Sequence, residues 1–332
     1  MKKAFDGKIE GSNETLRVAT PSIVAKYRAK RLACNKIVDL CAGIGGQTIE
    51  FAKTCKEVIA VEKDPQAVSF LRKNTSELKN VEVIEGDAAS ENIAGQLQDV
   101  DIYFCDPSRP FEEKQRSIDS ISPSPKRFAE IFKNIAIELP PQLTPDRIPF
   151  DAEKEYISVN GKLNRLTLYF GKLKKAEISV VSLPSEAKLT NSSLEANAKK
   201  SKIGKFLYEV DTAIIKAGLL SNLLGSLKAK FTVYSEDKYT LLSSNIYEKS
   251  PFLNVYEVMA ITRPDSASIN AALSTSDYGK TLIHARIDPQ EYWKLRNDIQ
   301  KGLSGYKTTH LFINDMECVI AKKAAASPDK SF

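Results

Sequence analysis

The sequence predicts a doubly wound α/β domain followed by a second, smaller α/β domain. Three observations lead there. Short apolar runs alternate with helical stretches as far as residue 139. These runs are short and largely apolar, as in strands buried on both faces of a parallel sheet. A polar, Lys/Ser/Asn-rich stretch then divides the chain. At 332 residues the chain exceeds the roughly 150 expected of one domain. The boundaries expected are a first domain over 1–185, a linker over 186–203 and a second domain over 204–323.

The elements follow in order. Residues 15–34 read as helical, with Thr20-Pro21-Ser22 as a start signal and a loose stripe of Ile23, Val24, Tyr27 and Leu32. Lys36 to Cys41 is a short buried strand, punctuated by Gly43-Ile44-Gly45-Gly46, and Gln47 to Lys53 continue as helix. Glu57 to Glu62 is a second strand, and Pro65 to Lys73 a helix with proline in its first turn. Val81 to Ile84 is a third strand, ending at Gly86-Asp87. A helix near 88–98 leads to a fourth, Asp101 to Cys105, which ends at Asp106-Pro107. Residues 125–134 read as helix and Ile135 to Leu139 as the fifth strand. Glu155 to Val159 and Ala176 to Val181 look like closing strands, with Leu166 to Phe170 open between strand and helix. Beyond the linker, Val210 to Leu227 reads as one helix, followed by a mixture of short strands and helices.

Composition narrows the function classes. Apolar residues are 42% and charged residues 27%, the mix of a soluble globular protein rather than a disordered one. No run of 18 apolar residues is present, so no membrane span is expected. Lys2 and Lys3 have no apolar segment behind them, so no signal peptide is expected either. Five cysteines (34, 41, 55, 105, 318) make an odd count without a Cys-x-x-Cys pair. That argues against a disulfide scaffold or zinc ribbon and fits a reducing cytoplasm. His284 and His310 are the only histidines and lie far apart in sequence, which argues against a histidine metal site or a Ser-His-Asp hydrolase. No metal is expected. The first 150 residues hold 22 basic and 22 acidic side chains, so the whole net charge of +6 falls beyond them. Basic surface there suits a phosphate backbone, and it equally suits an ordinary solvated surface. Lys199, Lys200, Lys202 and Lys205 form the densest basic cluster.

In a doubly wound sheet, ligands sit outside the carboxyl ends of the strands. The first strand ends in Asp39-Leu40-Cys41-Ala42-Gly43-Ile44-Gly45-Gly46. Its glycines allow close approach of backbone to a ligand. The spacing is not the Gly-x-Gly-x-x-Gly of a dinucleotide fold, and no triphosphate-binding loop is present. Glu62 ends the second strand, where a carboxylate accepts from both hydroxyls of a ribose and repels a 2′-phosphate. Asp87 follows the third, placed to accept from an adenine amino group. Each acid taken alone reads equally as a solvated loop residue or a helix cap. Three such features at three successive strand ends describe an adenosine pocket with no pyrophosphate requirement. Asp106-Pro107 follows the fourth strand. A carboxylate and a backbone carbonyl there can accept the N–H bonds of an amino group and aim its lone pair at a methyl carbon. The bland alternative is that Asp106 caps a helix that Pro107 opens. Arg109 suits a phosphate contact or a pairing with Glu112. Cys105 reads as a small buried residue rather than a nucleophile, and Trp293 as packing on a helix face rather than stacking on a base.

The motif Asp39-x-Cys41-x-Gly43-x-Gly45-Gly46, with Glu62, Asp87 and Asp106-Pro107, resembles the cofactor and target-site positions of the class I S-adenosylmethionine-dependent methyltransferases. The resemblance implies a Rossmann-like sheet and S-adenosylmethionine as cofactor. The glycine loop and Asp39 would hold its methionine part, Glu62 its ribose and Asp87 its adenine. Asp106, Pro107 and Arg109 would serve the acceptor. The Gly-Gly pair is similar to the trimethylguanosine-synthase and RNA-methylase branch. Ala19-Thr20-Pro21 with Tyr27 to Arg31, Asp106-Pro107-Ser108-Arg109, Leu139-Pro140-Pro141, Glu155 to Ser158, Leu207-Tyr208-Glu209 and Ile214-x-Lys216-Ala217-Gly218 resemble blocks of the subgroup with a C-terminal THUMP-like domain. That likeness spans about residues 15–322 and implies RNA, tRNA or rRNA, as partner. In one departure, Ser108-Arg109 stand where the usual amino-methylase signature has proline and an aromatic residue. The rival readings are a methyltransferase for protein or small molecules and a non-catalytic cofactor binder. An NAD-dependent oxidoreductase is disfavoured by the glycine spacing.

Overall fold

The structure, a computed structural model, describes residues 9–108, 117–236 and 239–324. It divides into two compact units, Met1–Ser192 with Lys216–Leu219, and Ser193–Ile215 with Leu220–Phe332. Among the described residues no helix is long and apolar enough to cross a membrane.

The first unit runs α1 (Asn13–Val18), α2 (Ser22–Arg31), β1 (Lys36–Leu40), α3 (Gly46–Ala52), β2 (Glu57–Glu62), α4 (Pro65–Thr75), β3 (Val81–Glu85), α5 (Glu91–Gln96), β4 (Ile102–Cys105), α6 (Pro125–Ile131) and β5 (Ile135–Leu139). It closes with β6 (Glu153–Val159), β7 (Lys162–Tyr169), β8 (Ile178–Leu183) and β9 (Ala187–Thr190). The nine strands form one sheet in the order β3-β2-β1-β4-β5-β7-β6-β8-β9. The pairings among β1 to β5 are all parallel. The order reverses between β1 and β4, which opens a crevice at their carboxyl ends.

Local chemistry explains most boundaries. The helix expected over 15–34 is two helices, because Pro21 lacks an N–H and disfavours helical backbone at Thr20. Asp64 caps α4, accepting from Gln66 N at 2.8 Å and Ala67 N at 3.1 Å, with Pro65 at the first helical position. The sheet is not parallel throughout. β7 runs antiparallel to both β5 and β6, because Asn160 (φ 53°) and Gly161 (φ 75°) form a tight left-handed turn that folds β6 and β7 into a hairpin. The stretch left open at 166–170 is mostly the end of β7. Of the expected linker, Ala187–Thr190 is a strand on β8, and Lys199 to Ser201 run beside Val233.

The second unit runs β10 (Phe206–Val210), α7 (Thr212–Ala217), α8 (Leu220–Ser226), β11 (Thr232–Glu236), β12 (Thr240–Ser244), β13 (Leu253–Thr262), α9 (Ser266–Ser274), β14 (Tyr278–His284), α10 (Pro289–Gln300), β15 (Lys307–Ile313) and β16 (Cys318–Lys323). Its sheet has the order β11-β12-β10-β13-β16-β15-β14, with only β14 and β15 parallel. The single helix expected over 210–227 breaks at Gly218, which takes the left-handed φ of 71°. One face of the sheet packs on α9 and α10 through Ile269, Leu273, Ile299, Leu311, Cys318 and Ile320. On the other face Leu207, Leu241, Tyr256, Phe312, Val319 and Ala321 form a second cluster.

Candidate active site

The loop after β1 is held open by three left-handed residues: Cys41 (φ 63°), Gly43 (φ 59°) and Gly45 (φ 91°). The two glycines serve different ends. A Cβ at Gly45 would lie 2.7 Å from Leu71 Cδ1, so Gly45 lets the loop pack on α4. A Cβ at Gly43 would meet nothing within 4 Å, so this stretch of backbone borders open space. Gly46 is buried and begins α3.

Glu62 closes the loop from the neighbouring strand. Its Oε2 accepts from Gly43 N at 2.8 Å, and its Oε1 accepts from Lys63 N at 2.9 Å and Asp64 N at 3.0 Å. Three backbone donors therefore fix the carboxylate beside the glycine loop. They leave part of its capacity of about four acceptor positions for a ligand hydroxyl. Gly86 N donates to the Glu62 carbonyl at 2.9 Å, bringing the end of β3 alongside. Asp87 follows, exposed, with its Oδ1 accepting from Ala89 N at 2.9 Å.

Asp39 points inward. It is buried, and its Oδ2 accepts from Thr48 Oγ1 of α3 at 2.6 Å. Burial pushes its carboxyl up to about 7. The Thr48 bond and the charge of Arg28 pull the other way, while Asp106 and Glu62 add repulsion. Asp106, half-buried, and Pro107, buried, follow β4 directly. Ser108 then pairs with Ser122: its Oγ donates to the Ser122 carbonyl at 3.0 Å, and its own carbonyl accepts from Ser122 N at 3.2 Å. The structure thus brings Asp39, Cys41, Gly43, Gly45, Gly46 and Glu62 together at the ends of β1 and β2. Asp106 lies close enough to Asp39 to act on its charge. Arg109 lies outside the described residues. Cys105 is buried, and burial pushes its thiol well above the usual range. Among the described residues no cluster of metal-ligating side chains occurs.

Sequence reasoning missed the residue that frames this site from behind. Arg28 on α2 is fully buried. Its Nη1 donates to Gln47 Oε1 at 2.9 Å and its Nη2 to Glu138 Oε2 at 2.5 Å, while its guanidinium lies 4.6 Å from the centroid of Phe104. Arg165 Nε approaches Glu138 Oε1 at 2.5 Å. Burial works against the charge of Arg28, but Glu138, Tyr169 and Asp106 outweigh it and raise its pKa. The network joins α2, α3, β5 and β7. The signal was present: Val24, Ala25, Arg28, Ala29 and Leu32 share one buried helical stripe. One turn on, Arg31 pairs with the buried carboxylates Glu153 and Glu155 of β6.

The two histidines also escaped notice as a pair. Neighbouring strands β14 and β15 bring His284 Nε2 within 2.9 Å of His310 Nδ1. Trp293, expected to pack on a helix face, is 61% exposed, with Arg296 5.4 Å from its ring centroid.

Several known proteins are similar to this chain. The family described as Conserved hypothetical protein 95 matches residues 13–125. An uncharacterized S-adenosylmethionine-dependent methyltransferase of Mycobacterium tuberculosis is 22% identical over 293 residues, 84% of this chain and 78% of that one. A probable ribosomal RNA small subunit methyltransferase A of Methanosarcina acetivorans is 48% identical over 52 residues, 16% of this chain and 19% of that one. Among solved structures, a "putative methyltransferase" from Porphyromonas gingivalis W83 superposes with a TM-score of 0.73 at 17% identity, over 95% of this chain and 83% of that one. This likeness shows a shared fold.

Proposed function

We propose that this chain, by sequence kinship and fold a class I S-adenosylmethionine-dependent methyltransferase, methylates a nitrogen of a base in tRNA or rRNA. S-adenosylmethionine, when bound, supplies an electrophilic methyl group on a sulfonium. The residues present fit it. Gly43 borders open space, and Glu62 is fixed beside that loop with acceptor capacity to spare for a ribose hydroxyl. The loop from Cys41 to Gly46 holds the methionine part, with Asp39 buried behind it against Thr48 rather than facing the crevice, and Asp87 accepts from the adenine amino group. A carboxylate at Glu62 repels a ribose phosphate, which favours this cofactor over a phosphorylated one.

The observation that carries the reading is the position of Asp106-Pro107, at the end of β4 and next to the β1 loop across the crevice. The Asp106 carboxylate and the Pro107 carbonyl accept the N–H bonds of the acceptor and aim its lone pair at the methyl carbon. Catalysis is then mostly positioning. Arg109 contacts acceptor or phosphate. Two things support RNA: the positive excess beyond residue 150, and the short likeness to ribosomal RNA methyltransferases. A THUMP-like domain over 204–323 adds affinity for the phosphate backbone.

The test is methyl transfer from labelled S-adenosylmethionine to RNA taken from cells lacking this enzyme, with a protein extract in parallel. We expect label in a discrete RNA band. Asp106→Ala should lower it by at least about 100-fold while the cofactor Kd stays within about threefold. Label in the protein extract alone would overturn the RNA reading. Full turnover by Asp106→Ala would overturn the positioning role.

A further inference from the structure

Cys41 and Cys105 stand at the neighbouring ends of β1 and β4, with their sulfurs 3.9 Å apart. Leu40 lies directly opposite Cys105 in the parallel register, so Cys41 is the next residue along. Adjacent strands run about 4.8 Å apart and rise about 3.3 Å per residue, so a neighbour one residue along lies at roughly 6 Å, within the range of Cα separations that a disulfide spans. The two thiols differ in setting. Cys105 is buried at a strand end, whereas Cys41 is half-buried and begins the left-handed loop. Two residues beyond Cys41, Gly43 donates the hydrogen bond that ties this loop to Glu62.

We propose that Cys41 and Cys105 form a reversible disulfide that draws the glycine loop toward β4 and lowers affinity for the cofactor. This rests on the cofactor assignment above and adds regulation of the same site. A hydroperoxide is the oxidant. The Cys41 sulfur attacks one peroxide oxygen, an S–O bond forms, the O–O bond breaks, and the alcohol or water released takes the thiol proton. The Cys105 sulfur then displaces hydroxide from the sulfenic acid. The S–S bond forms, the S–O bond breaks, and the Cys105 proton leaves with hydroxide as water. Two thiols lose two electrons and the peroxide gains them. Pulling Cys41 toward Cys105 shifts Gly43 away from Glu62, so the pocket loses its shape without unfolding.

A second pair provides an internal control. Cys34 and Cys55 also lie with sulfurs 3.9 Å apart, but they precede β1 and β2, at the opposite end of the strands from the glycine loop. Oxidation there should leave the cofactor site alone.

The experiment treats the full chain, and a Cys34→Ser/Cys55→Ser variant, with hydrogen peroxide. Non-reduced digests are mapped by mass spectrometry, and S-adenosylmethionine binding is measured by calorimetry before oxidation, after it, and after dithiothreitol. The expected result is a linked 41–105 peptide. Affinity should fall at least about tenfold, the worth of one hydrogen bond to a charged group, and dithiothreitol should restore it. Cys105→Ser should bind like the reduced protein and form no such peptide, and bound cofactor should slow the linkage. Linked protein that binds as tightly as reduced protein overturns the proposal. So does a peroxide dose that links 34–55 but never 41–105. A reduced protein that binds no cofactor, while the 41–105 peptide still forms, marks the failure of the functional assignment and takes the switch with it.

Discussion

The two units place their polar side chains by different geometries. In the first, β1 to β5 run parallel, so their carboxyl ends share one edge, and Asp39, Glu62 and Asp106 collect there. In the second, every pairing but one is antiparallel, so strand ends alternate between the two edges. Its distinctive polar groups, His284 and His310, meet instead near one edge of the sheet, across β14 and β15, its one parallel pair, and among Tyr239, Tyr256 and Phe312. A parallel sheet gathers loop residues distant in sequence into one crevice; a mixed sheet gathers side chains onto a face. The first arrangement suits a buried cofactor, the second a supporting surface.

The largest expected effect breaks the first unit alone. Arg28 and Glu138 are both fully buried and paired at 2.5 Å. Removing Arg28 leaves buried Glu138 with Arg165 as its one remaining cationic partner, which costs roughly 3 kcal/mol, the low end for breaking a buried pair. Arg28→Ala should lose about that much in urea unfolding followed by far-UV circular dichroism. A loss below about 1 kcal/mol would mean the network is looser than it stands. The single tryptophan, Trp293, lies on α10 and reports the second unit in the same experiment. Its transition should move less than the ellipticity does.

The same contrast explains what could be read from sequence. Ile37 to Leu40, Asp39 apart, and Val58 to Val61 are apolar runs buried almost completely, and runs of that kind announce themselves. The acids at their ends stand out because the fold confines ligand contacts to those positions. Other features needed information that lies outside any local window. Asn160-Gly161 is a hairpin signal, but it sets the direction of β7 only once β5 is known to be its neighbour. The pairing of Cys41 with Cys105 and of His284 with His310 depends on strand order and register. Arg28 sits in a helical stripe with the apolar Val24, Ala25, Ala29 and Leu32. A charge there makes sense only when Glu138, 110 residues away, is seen to face it.

A smaller effect sharpens the comparison through pH. Asp39 holds its proton up to about 7 when folded, against 3.8 when unfolded. Between these values the folded state binds the extra proton, so stability from this group is full at low pH and falls as pH rises toward 7. The slope is up to about 1.4 kcal/mol per pH unit. Glu153, whose pKa is lowered by Arg31 and by its hydrogen bonds with Lys188 and Ser179 despite burial, acts only below its ordinary range. Between pH 5 and 7, Asp39→Asn should therefore flatten the pH dependence of the first unit's ellipticity transition. An unchanged slope in the variant would place the titration elsewhere.

The smallest effect has the opposite sign and belongs to the second unit. Burial, aided by the charge of Lys323, lowers the pKa of His310 below 6.5. Here the unfolded chain binds the proton first, so this group's contribution is complete above 6.5 and is lost as pH falls. The hydrogen bond to His284 acts in the same direction, because one of the two facing nitrogens must stay unprotonated to accept it. Acidification from pH 7 to 5 should thus destabilise the unit that Trp293 reports while the Asp39 contribution to the other grows. His310→Gln should remove the acid-side loss from the fluorescence transition, by about 1 kcal/mol or less, and leave the ellipticity slope of the first unit as it was. Equal slopes in both signals would show that the two units unfold as one, and the contrast between them would then lie in architecture alone.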